Sequence, residues 1–196
     1  QKLTMSLSGI FLMLFLVVHL LGNLQLLAAD GGVAFNKYSY FMTHNPLIKT
    51  LSYLLYATLL FHAVQGIRIW LGNKSAAGAS RYAVSPKRSS EITSRNMAWF
   101  GIIIFVFILI HMWQFWFQMK FGTLPMVPIK GMDEPVKDLY TPVAEAFSNP
   151  AFVLFYVVSM VVIALHLWHG FWSSLQTLGL NHKKYEGFMK YIGYAY

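Results

Sequence analysis

The chain has 196 residues, of which 57% are hydrophobic, 17% aromatic and 11% charged, and its mean hydropathy is +0.51. A soluble domain carries about 25% charged residues, so this composition excludes an ordinary soluble fold and predicts a polytopic membrane protein. The net charge of +8 is unevenly spread, which argues against nucleic acid as a partner, and the absence of cysteine excludes disulfides, iron–sulfur ligation and thiol chemistry on this chain.

The first predicted span falls within residues 3–29, where no charge lies between Lys2 and Asp30, and it contains His19. The chain opens on Gln1 rather than Met, which predicts that residues precede it. No small-residue cleavage site follows the first apolar run, so it reads as a retained helix and not a signal peptide. Gly31-Gly32 breaks the pattern. A polar and aromatic loop with Phe35, Tyr38, Tyr40, Phe41 and His44 leads to Asn45-Pro46. Asn suits a helix N-cap and Pro the first helical position.

The second span, 47–71, contains His62, with Arg68 near its end. A Gly-, Ser- and Ala-rich loop with Lys74, Arg81, Lys87, Arg88 and Arg95 follows. The third span, 96–119, contains His111. The longest loop, from Lys120 to Asn149, carries four prolines and a mixed charge set. Asn149-Pro150 repeats the helix-start signal and opens the fourth span, 150–178, which contains His166 and His169. An apolar, aromatic tail at 188–196 reads as the start of a fifth helix cut short, or as an interfacial anchor. The expected fold is one all-α transmembrane bundle over 1–196.

Lys and Arg in the flanks set orientation. The N-terminus, the loop between spans two and three, and the tail hold ten basic residues against Glu91 and Glu186. The other side holds five lysines balanced by five acids. The charged side, with the N-terminus, is therefore expected to be cytoplasmic.

Each span thus carries a histidine inside hydrocarbon, where an ionisable group without a partner is costly. At about 1.5 Å of rise per residue, His19 and His111 lie roughly 21–22 Å from the cytoplasmic face. On the same scale His62 lies roughly 14 Å, His166 roughly 15 Å and His169 roughly 10 Å from it. The histidines sort into an outer layer of His19 with His111 and an inner layer of His62 with His166 or His169. The glycine spacing supports the same pairs. Gly9 and Gly101 precede His19 and His111 by ten residues, and Gly66 and Gly170 follow His62 and His166 by four. A glycine on such a face lets a flat macrocycle approach the backbone. Isolated interhelical hydrogen bonds are the plain alternative. Zinc wants more protein ligands in one layer, and no carboxylate lies in any apolar run. Facing histidine pairs suit two six-coordinate haems.

The runs SGIFLMLFLVVHLLGNLQ, AFNKYSYFMTHNPLI, LLFHAVQGIR and LHLWHGFWSSLQTLGLNHKKY resemble the dihaem cytochrome b subunit of succinate:quinone oxidoreductases, in the single-polypeptide anchor type of Bacteroidetes-like bacteria. The resemblance covers most of the chain and is weakest in Lys120–Asn149 and in the tail. It implies a five-helix anchor in the bacterial cytoplasmic membrane that binds two b haems through His19, His62, His111 and His166. It pairs His62 with His166 nearer the iron–sulfur subunit and His19 with His111 distally. It also implies a flavoprotein with FAD and an iron–sulfur subunit on the cytoplasmic face, and menaquinone as the electron partner. The complex itself can assemble into a higher oligomer. Succinate chemistry stays on the flavoprotein.

Around these ligands, Arg68 is expected at a haem propionate and His44, with Asn45, at a propionate or quinone head. Gln25, Asn23 and Asp30 are candidates for the outer quinone region, and His169 for a residue behind the ligand or on the propionate side, or for a plain interhelical donor. Trp113, Trp116, Trp168 and Trp172 suit porphyrin edges or an interface belt. Two rivals fit the same spans: a cytochrome b anchor of a formate dehydrogenase or hydrogenase, and a transporter or structural anchor with buried histidines.

Overall fold

A computed structural model describes residues 1–76 and 92–195. Arg81, Lys87, Arg88 and Glu91 of the basic loop lie outside the described residues. Among the described residues the chain is all-α apart from one short ladder. Its helices are α1 (Lys2–Asn23), α2 (Val33–His44), α3 (Pro46–Ala76), α4 (Ile92–His111), α5 (Gln118–Phe121), α6 (Tyr140–Phe147), α7 (Pro150–Thr177) and α8 (Lys183–Ala195). Among the described residues, four helical stretches are long and apolar enough to cross a membrane: Lys2–Leu27, Pro46–Ala76, Thr93–Phe121 and Pro150–Thr177. These are the four expected spans. Leu14, Leu20, Val157 and Val161 on them are each more than half exposed, as apolar side chains are when hydrocarbon is the solvent.

Local chemistry sets the helix ends. The Asn45 side-chain oxygen accepts from the N–H groups of Leu47 and Ile48 at 3.0 and 3.2 Å. The Asn149 oxygen accepts from Ala151 and Phe152 at 2.9 and 3.4 Å. Both Asn-Pro pairs therefore act as an N-cap followed by a proline whose missing N–H costs nothing. At the other end of α7, Gly179 adopts φ +71°. The Leu180 N–H then donates to the Leu175 carbonyl and the Gly179 N–H to that of Gln176, which satisfies two terminal carbonyls.

Two segments differ from expectation. The stretch after Gly31-Gly32, expected as a loop, is helix α2. Asp30 accepts from the N–H groups of Gly32 and Ala34 at 3.0 and 2.8 Å, so its carboxylate starts this helix. Gly32 precedes it at φ +89°, and a Cβ there would meet the Tyr140 ring. Phe35, Asn36 and Ser39 form the buried face. The long loop after Lys120 also has structure. Met126–Val127 pairs antiparallel with Val136–Lys137, and α6 follows. The tail forms helix α8, which begins before residue 188. After α4, residues Met112–Phe117 form a π-helical turn, a widening of the helix that recurs at functional sites.

The described chain forms two compact units. One comprises Gln1–Met13, Ala57–Phe105 and Met160–Tyr196; the other comprises Leu14–Tyr56 and Val106–Ser159. In the second unit, buried Asn36 ties α2 to the start of α6. Its amide oxygen accepts from the N–H groups of Leu139 and Tyr140, both at 3.0 Å. Its amide nitrogen donates to Asp138 at 2.9 Å.

Burial raises the Asp138 pKa, but hydrogen bonds from Thr141 and Asn36 outweigh it and hold the carboxyl below its ordinary value. A depressed folded pKa contributes stability that is full above the unfolded value of about 4 and is lost as pH falls through the folded one. Thermal unfolding of the detergent-solubilised protein should therefore weaken on acidification below about pH 4. Asp138→Asn should remove part of that slope, and an unchanged slope would show that Asp138 adds nothing.

Candidate functional site

In the first unit, His62 of α3 and His166 of α7 face each other with ring centres 6.4 Å apart and planes at 69°. α1 and α4 flank them with glycine. A Cβ on Gly9 would lie 3.4 Å from His62 Cε1, and one on Gly101 would lie 3.9 Å from His166 Cε1. This corrects the expectation from spacing. Gly9 and Gly101 do not serve the histidines of their own helices but border the pair from α3 and α7. Gly66 and Gly170 face the Met5 and Met13 methyl groups at 3.6 Å. Ser8 of α1 lies 3.0 Å from His62 Nδ1. His166 Nδ1 is buried and has no hydrogen-bond partner among the described residues.

In the second unit, His19 of α1 and His111 of α4 have ring centres 5.7 Å apart and planes at 90°. His111 Nδ1 lies 3.1 Å from the Tyr156 hydroxyl. Phe15 stacks on His19 and Phe107 on His111. Phe107 and Tyr156 are themselves buried, so aromatic rings wall this pair off.

A metal–imidazole bond of about 2 Å, plus about 1 Å from nitrogen to ring centre, puts two imidazoles on one ion about 6 Å apart, centre to centre. Both pairs have this separation. The planes can take any mutual angle, because each ring turns freely about its metal–nitrogen axis. Among the described residues no group of three or more His, Cys, Asp or Glu side chains comes together. The donor sets are thus two imidazoles each, which fits a metal whose other ligands come from a macrocycle and does not fit a tetrahedral zinc site.

The other candidates lie apart from these contacts. Arg68 is exposed, six residues beyond His62. His44 is exposed, stacks on Tyr40 and donates from Nδ1 to the Tyr40 carbonyl at 2.9 Å. Its neighbour Asn45 is occupied as a cap, and Asp30 caps α2. Gln25 and Asn23 are half-buried at a 3₁₀ turn that ends the first span. Trp113 is exposed, Trp116 donates to the Tyr56 hydroxyl at 2.7 Å, and Trp168 packs edge-on to Trp172. His169 is half-buried one turn beyond His166. Sequence reasoning missed Ser8 and Tyr156. Each meets its histidine across 54 or 45 residues, and a lone hydroxyl in an apolar run carries no local signal of such a contact.

No protein-family model matches the chain, and no solved structure does. A curated protein does: the succinate dehydrogenase cytochrome b558 subunit of Bacillus subtilis (strain 168) is 28% identical over 169 residues, covering 86% of this chain and 73% of that protein. In this relative, as in its helix motifs, the chain resembles the cytochrome b subunit of succinate dehydrogenase.

Proposed function

We propose that the chain is the membrane-anchor cytochrome b subunit of a succinate:menaquinone oxidoreductase, and that it carries electrons between an iron–sulfur subunit and menaquinone. The observation that carries this reading is the pairing of four intramembrane histidines, one per span, into two sets with the separation of a shared axial metal. Bound between each pair, b haem supplies a one-electron acceptor and donor. The protein supplies the rest. His62 with His166, and His19 with His111, would hold the haem, with two imidazoles each. Gly9 and Gly101 leave the first pair's flanks open to a flat ring. Phe15, Phe107 and Tyr156 exclude water from the second. Arg68 serves as a propionate partner, His169 as a neighbour of the first pair, and His44 as a donor or acceptor for a propionate or quinone head.

The lysine and arginine bias supports a cytoplasmic N-terminus. On that side a flavoprotein and an iron–sulfur protein dock and carry out the succinate chemistry. Purification from the membrane tests this. The chain should co-purify with a flavoprotein and an iron–sulfur protein, and succinate should reduce its b-type absorbance. Isolation with a molybdenum- or nickel-containing partner on the opposite face would overturn it.

A further inference from the structure

We infer that Ser8 is a positioning residue that sets the tautomer of His62 and anchors its ring, so that Nε2 carries the free lone pair; the inference rests on the reading of His62 and His166 as axial ligands. A serine hydroxyl has one proton. The Ser8 Oγ donates to the Met5 carbonyl at 3.0 Å, a backward bond within α1. A carbonyl only accepts, so that proton is committed. The second contact of the same oxygen, 3.0 Å to His62 Nδ1, can be a hydrogen bond alongside the first only with Nδ1–H as donor and Ser8 as acceptor. A neutral imidazole has one N–H. Its Nε2 is left bare, which is the form a metal requires.

Among the span histidines, the two others whose Nδ1 surroundings are described, His166 and His111, do not give this result. His166 Nδ1 has no partner among the described residues. The phenol of Tyr156 can donate to His111 or accept from it, so that contact alone does not choose a tautomer. Within the first pair, among the described residues, it is the His62 ring that hydrogen-bonds to α1. An acceptor on the far nitrogen makes an imidazole a stronger donor to its metal and favours the oxidised state, one of the protein's levers on potential.

Redox titration of the purified complex tests the inference. In the wild type, b-type absorbance must be present; its absence sinks the haem reading itself. Given that absorbance, Ser8→Ala should raise the midpoint potential of one haem component and leave the other unmoved. It should also weaken retention of that haem by about tenfold or more. Ser8→Cys, close in size but a poor acceptor, should shift the same component the same way, and reads the effect if the alanine variant does not assemble. Ser8→Thr, which keeps the hydroxyl, should titrate as the wild type. Unchanged potentials in the alanine and cysteine variants, or a threonine variant that shifts as they do, would overturn the role of Ser8.

Discussion

Replacing His166 with alanine is expected to remove one of two b haems, so that purified protein retains about half of the b-type absorbance. The same loss is expected from His62→Ala, because an axial pair fails when either nitrogen is removed. His19→Ala and His111→Ala should remove the other haem and leave the first. The remaining component should keep a low-spin spectrum in each variant, since its own two imidazoles are untouched. His169→Ala is the discriminating control. It lies one turn beyond His166, while His166 is the residue facing His62 at 6.4 Å. Haem quantification together with the reduced-minus-oxidised spectrum reads all five variants. Loss of a haem from His169→Ala, with both retained in His166→Ala, would reverse the assignment.

Asn36→Leu is expected to destabilise the second unit by about 2–6 kcal/mol, counting roughly 1–3 kcal/mol for each of the two backbone N–H groups left unpaired. Asn36 is 4% exposed. Leucine would strand two backbone N–H groups, those of Leu139 and Tyr140, and remove a donor to Asp138. Asp138 also accepts from the Thr141 N–H, so part of its pairing survives and the upper end of the range is not exceeded. Asn36→Asp keeps the acceptor but sets a second carboxylate against Asp138, and should destabilise as well. Thermal unfolding, with proteolysis of the 120–149 segment as a local readout, measures both. Wild-type stability in the leucine variant would show that these bonds are replaced by others.

The spans and the two histidine layers were legible in the sequence because each depends on counting along one helix, although depth left both His166 and His169 open as the partner of His62. An apolar run has a length, and a histidine within it has a depth. The Asn45-Pro46 and Asn149-Pro150 starts were equally local. What could not be read was which face of one helix meets which neighbour. Gly9 lies ten residues before His19, yet its missing side chain matters to His62. Helix α2 was hidden by its aromatic and polar composition, although the Asp30 cap and the run of twelve residues without Gly or Pro were local signs of it. The Asn36–Asp138 bond joins residues 102 positions apart, and no local pattern announces it. The π-helical turn after His111 has no proline or glycine to mark it. Ser8 and Tyr156 are identified only by what they touch.

The central claim is that four histidines form two axial pairs, and haem stoichiometry tests it most directly. Pyridine haemochrome assay of the purified complex, set against the amount of this polypeptide, should give two b haems per chain, with a low-spin reduced-minus-oxidised spectrum. One haem per chain, or none, would contradict it.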